Sequence, residues 1–365
     1  MATGRGGRPN RTKPLPEHEG NTYLPFADLI KLEKIENRTF RSIAPAYSPG
    51  GTIGAGRSYG AHVYMQAAWA ASQTVATGFL LHSVSGNFIL AGELNVPFVY
   101  KVHIIRDGRS YCTRIVNVTQ SQGKGIMFTC ICSFKTPEHK QVDSQEDVDI
   151  AKKYGSVLDG KKPLDFPEVP AMDLPFYWKR MAETGINDPF PGLECRKVDM
   201  SEYNKDRHPL DRRQLILYRT IGEMPNDPNM HLCAHVYASD RNSLYIVANH
   251  FELGDYFSSM SSLAHTMIFH SPVEAYRFGT SGKRGLLHDE TGRWFCLEIS
   301  GSRMGGGRAV HNCRIWNSED EHVVTTMQDG LIRYAVNPQT PTDDELKVLE
   351  FTKRRWKGLK REGKL

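Results

Sequence analysis

The 365-residue sequence has no long apolar run. Nothing in it approaches the roughly 18 consecutive apolar residues that a membrane-spanning helix needs, and the first 20 residues, MATGRGGRPNRTKPLPEHEG, contain no apolar region of the kind found in secretory signals. We therefore expect an intracellular protein without a membrane span. Hydrophobic residues make up 39% and charged residues 24%, as in globular proteins. The length allows two domains of roughly 100–200 residues each.

The sequence also lacks a disulfide framework. Its seven cysteines are odd in number and scattered along the chain, which favours a reducing compartment. Cys130 and Cys132 alternate in TCICSF on a predicted strand, and a lone C-x-C without a second pair is weak evidence for zinc. We expect no metal and no organic cofactor.

A basic excess is missing from the body of the chain. The net charge is +5, but residues 1–19 and 352–365 together hold eleven of the 46 Lys and Arg and only three of the 41 Asp and Glu. The remainder has 35 basic and 38 acidic residues, a net charge near −3. This balance gives no support for nucleic-acid binding.

Two similar halves lie on either side of a charged, proline-rich segment. In each half a stretch with helical spacing, residues 60–77 or 231–249, comes before several alternating strands. Asp107 and Gly108 form a dipeptide typical of tight hairpin turns. The pattern predicts an α+β fold with two domains, each a curved antiparallel sheet wrapped around a central helix. One large mixed sheet is the less favoured alternative.

This organisation predicts five consecutive segments. They are a basic N-terminus (1–21), an N-terminal domain (22–138), a linker rich in proline and charge (139–204), a C-terminal domain (205–336) and a basic tail (337–365).

A carboxylate interrupts the apolar face of the second predicted helix. Leu232, Val236, Asp240 and Leu244 follow one another at a spacing of four, so a continuous helix would bury Asp240 with the three apolar residues. Burying an unpaired carboxylate is costly. Either the helix frays near Asp240 or rotates this residue to the rim of the apolar face, or the charge is paired and used in chemistry.

Several stretches resemble the acyl-CoA thioesterase II family, whose chains are two hotdog domains in tandem. The similar segments cover roughly residues 22–138 and 205–336, and they are LLHSVSGNFILAG, VPFVYKVHIIRDGRSYCTRIV, YASDRNSL, SSLAHTMIFHSP and TTMQDGLIR. The resemblance implies an enzyme that hydrolyses acyl-CoA, its substrate, and that assembles into a homo-oligomer.

The resemblance also implies three site residues. In the family, an Asp on the second hotdog helix, a Thr or Ser at the start of the next strand and a Gln in a late strand hold the attacking water. Asp240, Ser262 and Gln328 stand at these positions. Thioester hydrolysis requires a positioned water, a group that draws off its proton, and donors for the oxyanion. The other hydroxyl candidates near Ser262 are Ser259, Ser261 and Thr266.

Other interpretations compete with this one. GRSYG (56–60) is a G-x-S-x-G motif centred on Ser58, but its approach is rich in proline and glycine, whereas a nucleophile elbow follows a buried strand. GTIGAGRS (51–58) is close to a P-loop but has Arg57 in place of lysine. A hotdog protein that binds acyl chains without hydrolysing them is the alternative from a different functional class.

Two further features bear on substrate and location. The glycine-rich stretch SGSRMGGGR (300–308) is expected near the substrate entrance. The C-terminal Gly-Lys-Leu approximates the peroxisomal signal Ser-Lys-Leu, with glycine at the position of serine. We expect a peroxisomal or cytosolic location.

Overall fold

A computed structural model describes residues 24–334 except 50–56, 122–124, 139–141, 159, 186–189, 280–286 and 290–291. The predicted terminal segments 1–21 and 337–365, the C-terminal tripeptide and most of the P-loop-like stretch lie outside the described residues. No helix in the described ranges is long and apolar enough to cross a bilayer.

The secondary structure of the described residues is dominated by strands. The α-helices are α1 (Phe26–Leu29), α2 (Gly60–Ser72), α3 (Ile150–Lys153), α4 (Gly155–Leu158), α5 (Pro175–Thr184), α6 (Ser201–Asn204), α7 (Pro228–Ser239) and α8 (Ser243–His250). The strands are β1 (Leu32–Glu36), β2 (Thr39–Ser42), β3 (Leu80–Phe88), β4 (Phe98–Asp107), β5 (Tyr111–Gln120), β6 (Phe128–Lys135), β7 (Leu193–Lys197), β8 (Gln214–Thr220), β9 (Phe257–Phe269), β10 (His288–Asp289), β11 (Gly292–Arg293), β12 (Phe295–Gly305), β13 (Arg308–Trp316) and β14 (His322–Tyr334).

All of these strands except the short β10–β11 pair belong to one antiparallel sheet, in the order β1-β2-β4-β5-β6-β3-β9-β14-β13-β12-β8-β7. Strands β3 and β9 join the two halves, with Ser83 opposite Ile268 and Asn87 opposite Ala264. The two predicted half-sheets are therefore continuous. The sheet is antiparallel throughout, unlike the mixed sheet that was the less favoured alternative.

The central helix of the first half is α2. Five of its alanines are buried, which lets the backbone lie close to the sheet, and the helix contacts each strand from β2 to β6. Asp107 and Gly108 stand at the predicted turn, between β4 and β5. The α+β prediction, with half-sheets that enclose helices, is confirmed.

The second predicted helix is broken, so the prediction of one helix over 231–249 is wrong. Helix α7 ends at Ser239, Asn242 has a φ of 62°, and α8 starts at Ser243. Asparagine is one of the few residues that adopt this left-handed conformation readily, because its short side chain hydrogen-bonds locally. The break turns α8 onto strands β9, β12, β13 and β14. Gly330 permits this approach, since a Cβ there would lie 2.2 Å from Leu244 Cδ1.

The segment 139–204, predicted as a linker, contains helices α3 to α6 and strand β7, which pairs with β8 at the edge of the sheet. A buried carboxylate, Glu298, attaches it to the C-terminal half. Glu298 accepts hydrogen bonds from Lys153 Nζ (2.7 Å), the Tyr154 hydroxyl and Trp316 Nε1 (2.9 Å), and it pairs with Arg314 at 3.0 Å. Burial alone would raise the Glu298 pKa, but these donors and charges outweigh it and lower the pKa to about 2.

Candidate active site

Asp240 lies at the C-terminal end of α7, where the helix breaks. Its side chain is buried, and the residue is only 7% exposed. Oδ1 accepts three hydrogen bonds, from Gln328 Nε2 (2.6 Å), Ser243 Oγ (3.2 Å) and Ser262 Oγ (3.3 Å). The carboxylate is therefore paired, and its burial is accounted for although the predicted helix does not continue.

The structure brings Asp240, Ser262 and Gln328 into direct contact. Gln328 Nε2 also donates to Ser262 Oγ at 2.5 Å, which closes a ring of hydrogen bonds. Ser262 lies on β9 and Gln328 on β14, and these strands are neighbours in the sheet. Ser262 is paired with Gly330, two residues after Gln328, so the sheet holds the two side chains close together. The alternatives are placed differently: Ser261 Oγ donates to the Ser262 carbonyl, and Thr266 pairs with Ser85.

The second carboxylate oxygen of Asp240 faces the N-terminal half. Oδ2 accepts the backbone N–H of Ala61, in the first turn of α2, at 3.1 Å. Gly60 also lies close to Oδ2, since a Cβ added to it would be 3.1 Å from Oδ2 and 3.0 Å from Phe88. The positive end of the α2 dipole thus points at the carboxylate.

Sequence patterns did not identify two partners of Asp240. Ser243 follows it by three residues, a spacing at which a serine beside a suspected buried carboxylate is a reasonable candidate partner. No sequence pattern could identify the Ala61 amide, because any residue except proline supplies a backbone N–H.

The pKa of Asp240 is raised by burial to about 6. Hydrogen bonds from Gln328, Ser243, Ser262 and the Ala61 amide oppose the rise because they favour the charged form. The carboxylate is therefore mostly ionised at neutral pH and close to the pKa that suits a general base.

A cavity of about 570 Å³ opens onto Asp240 and Ser262. Both halves of the chain line it, and its size falls within the usual range of ligand pockets, roughly 300–1,000 Å³. The apolar lining residues include Val63, Phe88, Leu90, Phe98, Met127, Phe128, Met172, Tyr245, Met260 and Leu331. Arg57, an exposed residue, contributes a positive charge to the lining.

The segment predicted as a linker forms part of the cavity wall, through Ala171 and Met172. The buried Arg241 fixes this wall by donating to the carbonyl oxygens of residues 169, 170 and 171 at 2.9–3.2 Å. Asn242 Oδ1 also accepts the Asp173 amide at 3.1 Å. The two residues after Asp240 thus position the wall of the site.

The competing motifs are placed as follows. Ser58 lines the cavity, and no described histidine hydrogen-bonds to its hydroxyl. The preceding residues 43–49 are not a strand, unlike the approach to a nucleophile elbow. Cys130 and Cys132 are buried with their sulfur atoms 3.7 Å apart. The described residues contain no group of three or more His, Cys, Asp or Glu arranged for a metal ion.

The glycine-rich stretch 300–308, which was expected near the substrate entrance, is not part of the cavity lining. It forms the end of β12 and its turn into β13, with Gly306 and Gly307 at positive φ. None of its residues lines the cavity beside Asp240.

Comparison with known proteins supports the same interpretation. Residues 48–135 match the model of the acyl-CoA thioesterase N-terminal domain, and residues 184–332 match that of the C-terminal domain. Acyl-CoA thioesterase 2 of Haemophilus influenzae is 25% identical over 317 residues, which cover 84% of this chain and 96% of that protein. Acyl-coenzyme A thioesterase 8 of Homo sapiens is 26% identical over 291 residues, 79% of this chain and 83% of that protein.

Solved structures support the fold. The acyl-CoA thioesterase II of Mycobacterium marinum has a TM-score of 0.60 at 24% identity and covers 86% of this chain and 99% of its own. A protein with a hot dog fold from Alicyclobacillus acidocaldarius has a TM-score of 0.58 at 14% identity and covers 85% of this chain and 98% of its own. Because the two domain models together match most of its length, the chain belongs to the acyl-CoA thioesterase II family.

Proposed function

We propose that this thioesterase hydrolyses acyl-CoA to a free fatty acid and coenzyme A with Asp240 as the general base, and that Ser262 and Gln328 hold the Asp240 carboxylate in position to activate the attacking water. The ring of hydrogen bonds that joins these three side chains carries the proposal. Positioning a water against a carbonyl is itself a large part of such catalysis.

The hydrogen bonds distinguish the two oxygens of Asp240. Among the described residues, Oδ1 already accepts three donors, whereas Oδ2 accepts only the Ala61 amide. A carboxylate oxygen with a free lone pair accepts a further hydrogen bond. We therefore assign Oδ2 as the atom that takes the proton of the water.

The oxyanion donor follows from the same geometry. The Gly60 amide makes no hydrogen bond within the described residues and lies at the N-terminus of α2, close to Oδ2. A free N–H at the positive end of a helix stabilises developing negative charge. We assign the Gly60 amide to the thioester oxygen.

These assignments define the reaction. The water oxygen attacks the thioester carbon while Asp240 Oδ2 accepts one water proton, and the carbonyl oxygen becomes an oxyanion. When the intermediate collapses, the C–S bond breaks and the coenzyme A sulfur leaves. The proton held by Asp240 then neutralises the leaving thiolate, which restores the carboxylate.

The cavity suits the two parts of the substrate. Its apolar lining between the halves would hold the acyl chain. Arg57 is an exposed positive charge at the same cavity, and Arg241 is already bound to carbonyl groups. We assign Arg57 to the phosphates of coenzyme A.

Thiol release from a series of acyl-CoA esters tests the proposal. The proteins compared are the wild type, Asp240→Ala, Gln328→Ala and Ser58→Ala. We expect activity to fall by at least about a hundredfold in the first two variants and to persist in Ser58→Ala. Loss of activity only in Ser58→Ala would replace the mechanism with a covalent serine enzyme, and an inactive wild type would favour acyl binding without hydrolysis.

Homo-oligomer formation and a peroxisomal or cytosolic location stay predictions. Ile131, Ile268 and Met327 support the first, because these apolar side chains are 45–54% exposed on the outer face of the sheet. Light scattering of the wild type and Met327→Lys would test whether copies associate through this face.

A further inference from the structure

A row of buried polar side chains crosses the inner face of the C-terminal half-sheet, behind Gln328. His265 on β9 and His311 on β13 are both paired with Gln328 in the sheet, one on each side. Thr326 lies two residues before Gln328 on the same face of β14. All four residues are at most 1% exposed.

Several polar atoms in this row have no hydrogen-bond partner within the described residues. They are His265 Nδ1, His311 Nδ1 and Nε2, Thr326 Oγ1 and Gln328 Oε1. Leaving buried polar groups unpaired is costly, and proteins commonly satisfy them with internal water that makes two to four hydrogen bonds.

The protonation of His265 follows from its neighbour. Burial holds the pKa of His265 and of His311 at about 3, so both rings are neutral. Ser239 Oγ donates its only proton to the Val236 carbonyl at 2.9 Å and lies 3.2 Å from His265 Nε2. Nε2 of His265 must therefore donate to Ser239, and Nδ1 carries a lone pair.

The orientation of the Gln328 amide depends on this assignment. Both N–H groups of its Nε2 are used, one on Asp240 and one on Ser262. Its Oε1 still needs a donor. The Nδ1 atom of His265 offers only a lone pair, whereas the neutral ring of His311 always carries one N–H.

We propose that His265, His311, Thr326 and Gln328 bind one internal water molecule, and that His311 is through this water a positioning residue for Gln328. The water accepts from the His311 N–H and the Thr326 hydroxyl and donates to Gln328 Oε1 and His265 Nδ1. All four of its hydrogen bonds are then made.

The water fixes which end of the Gln328 amide faces Asp240. With Oε1 held from behind, Nε2 points at the carboxylate and at Ser262. A flipped amide would place its carbonyl oxygen against Asp240 Oδ1 and lose both bonds. The inference rests on the proposed role of Gln328 in hydrolysis.

Two substitutions at His311 test the inference. His311→Leu fills much of the space without a donor, and we expect kcat to fall at least about tenfold while KM changes less than about twofold. His311→Asn restores an N–H donor and should keep kcat within about threefold of the wild type. The control is Ile315→Val, on the same face of β13, which removes a buried methyl group and should leave kcat unchanged.

A full kcat in His311→Leu, or an equal loss in His311→Asn, would overturn the inference. A readout independent of activity is the side-chain NH₂ resonance of Gln328 in protein labelled with ¹⁵N-glutamine. It should shift in His311→Leu and stay in place in Ile315→Val, and an unchanged resonance in both would also refute the inference. Full activity in Asp240→Ala would instead refute the proposed function, and the NMR result would still decide the role of His311.

Discussion

The backbone N–H of Ala61 donates to Asp240 Oδ2 at 3.1 Å, although the two residues are 179 positions apart in the chain. Ala61 belongs to the first turn of α2 and Asp240 to the end of α7, so each half of the protein contributes one side of the site. Neither half would hold the carboxylate in this way alone. We propose that the two halves, expected at 22–138 and 205–336, work as one catalytic unit.

Asp240→Asn should abolish activity and raise stability at neutral pH. Burial raises the folded-state pKa of Asp240 to about 6, from 3.8 for an ordinary Asp. Between these pH values the folded wild type binds more protons than the unfolded chain, so its free energy of unfolding falls as pH rises. The free energy of unfolding of the wild type falls by about 3 kcal/mol in total. Asp240→Asn does not lose this stability, because asparagine does not titrate.

Urea unfolding of both proteins at pH 4 and pH 7 measures this difference. We expect the stability of Asp240→Asn relative to the wild type to increase by about 2 kcal/mol between the two pH values, because part of the change already lies below pH 4. If the free energies of unfolding of the two proteins changed equally with pH, Asp240 would have an ordinary pKa in the folded state.

Ser243→Ala should weaken the enzyme mainly at acidic pH. The Ser243 hydroxyl lowers the Asp240 pKa by bonding the charged form, so its removal raises that pKa. The acid limb of kcat/KM should move to higher pH, and activity at pH 6 should fall by up to about tenfold. Ser261→Ala is the matched control, because Ser261 bonds to a backbone carbonyl of its own strand. An unchanged limb in Ser243→Ala would exclude this role.

Arg57→Ala should raise KM for acyl-CoA about fivefold and leave kcat nearly unchanged, since an exposed charge contributes about 1 kcal/mol. Added salt should shrink the difference because it screens the phosphates. An acyl thioester of N-acetylcysteamine, which has no phosphates, should be hydrolysed equally by both proteins. A similar loss with this short substrate would place Arg57 elsewhere in the mechanism.

Glu298→Gln should reduce stability without impairing catalysis. Removing one partner of a buried charged cluster costs about 3–5 kcal/mol. The Glu298 pKa is lowered to about 2 from 4.5, so its contribution is present above pH 4.5 and is lost as pH falls towards 2.

Urea unfolding at neutral and acidic pH would measure this change, with kcat/KM as the second readout. Glu146→Gln is the control, because Glu146 also pairs with Arg314 but is 63% exposed. It should cost less than about 1 kcal/mol. If the two variants lost equal amounts of stability, burial of Glu298 would not explain its contribution.

Local sequence features predicted much of the fold. Alternating apolar residues predicted strands in both halves, and Asp107-Gly108 predicted a hairpin turn. The alanine-rich stretch predicted α2, although the helix ends at Ser72 rather than near residue 77. These features depend on neighbours in the chain, so the sequence carries them directly.

The sequence by itself determined the α+β hotdog fold and, through resemblance, pointed to Asp240, Ser262 and Gln328 as the candidate site residues. Only the tertiary structure decided that the two half-sheets are continuous, that the helix breaks after Asp240, and that the Ala61 amide and Ser243 bind the carboxylate. The physical reason is that these features arise from contacts between distant segments and from one left-handed residue, Asn242. Periodicity along the chain carries no information about either.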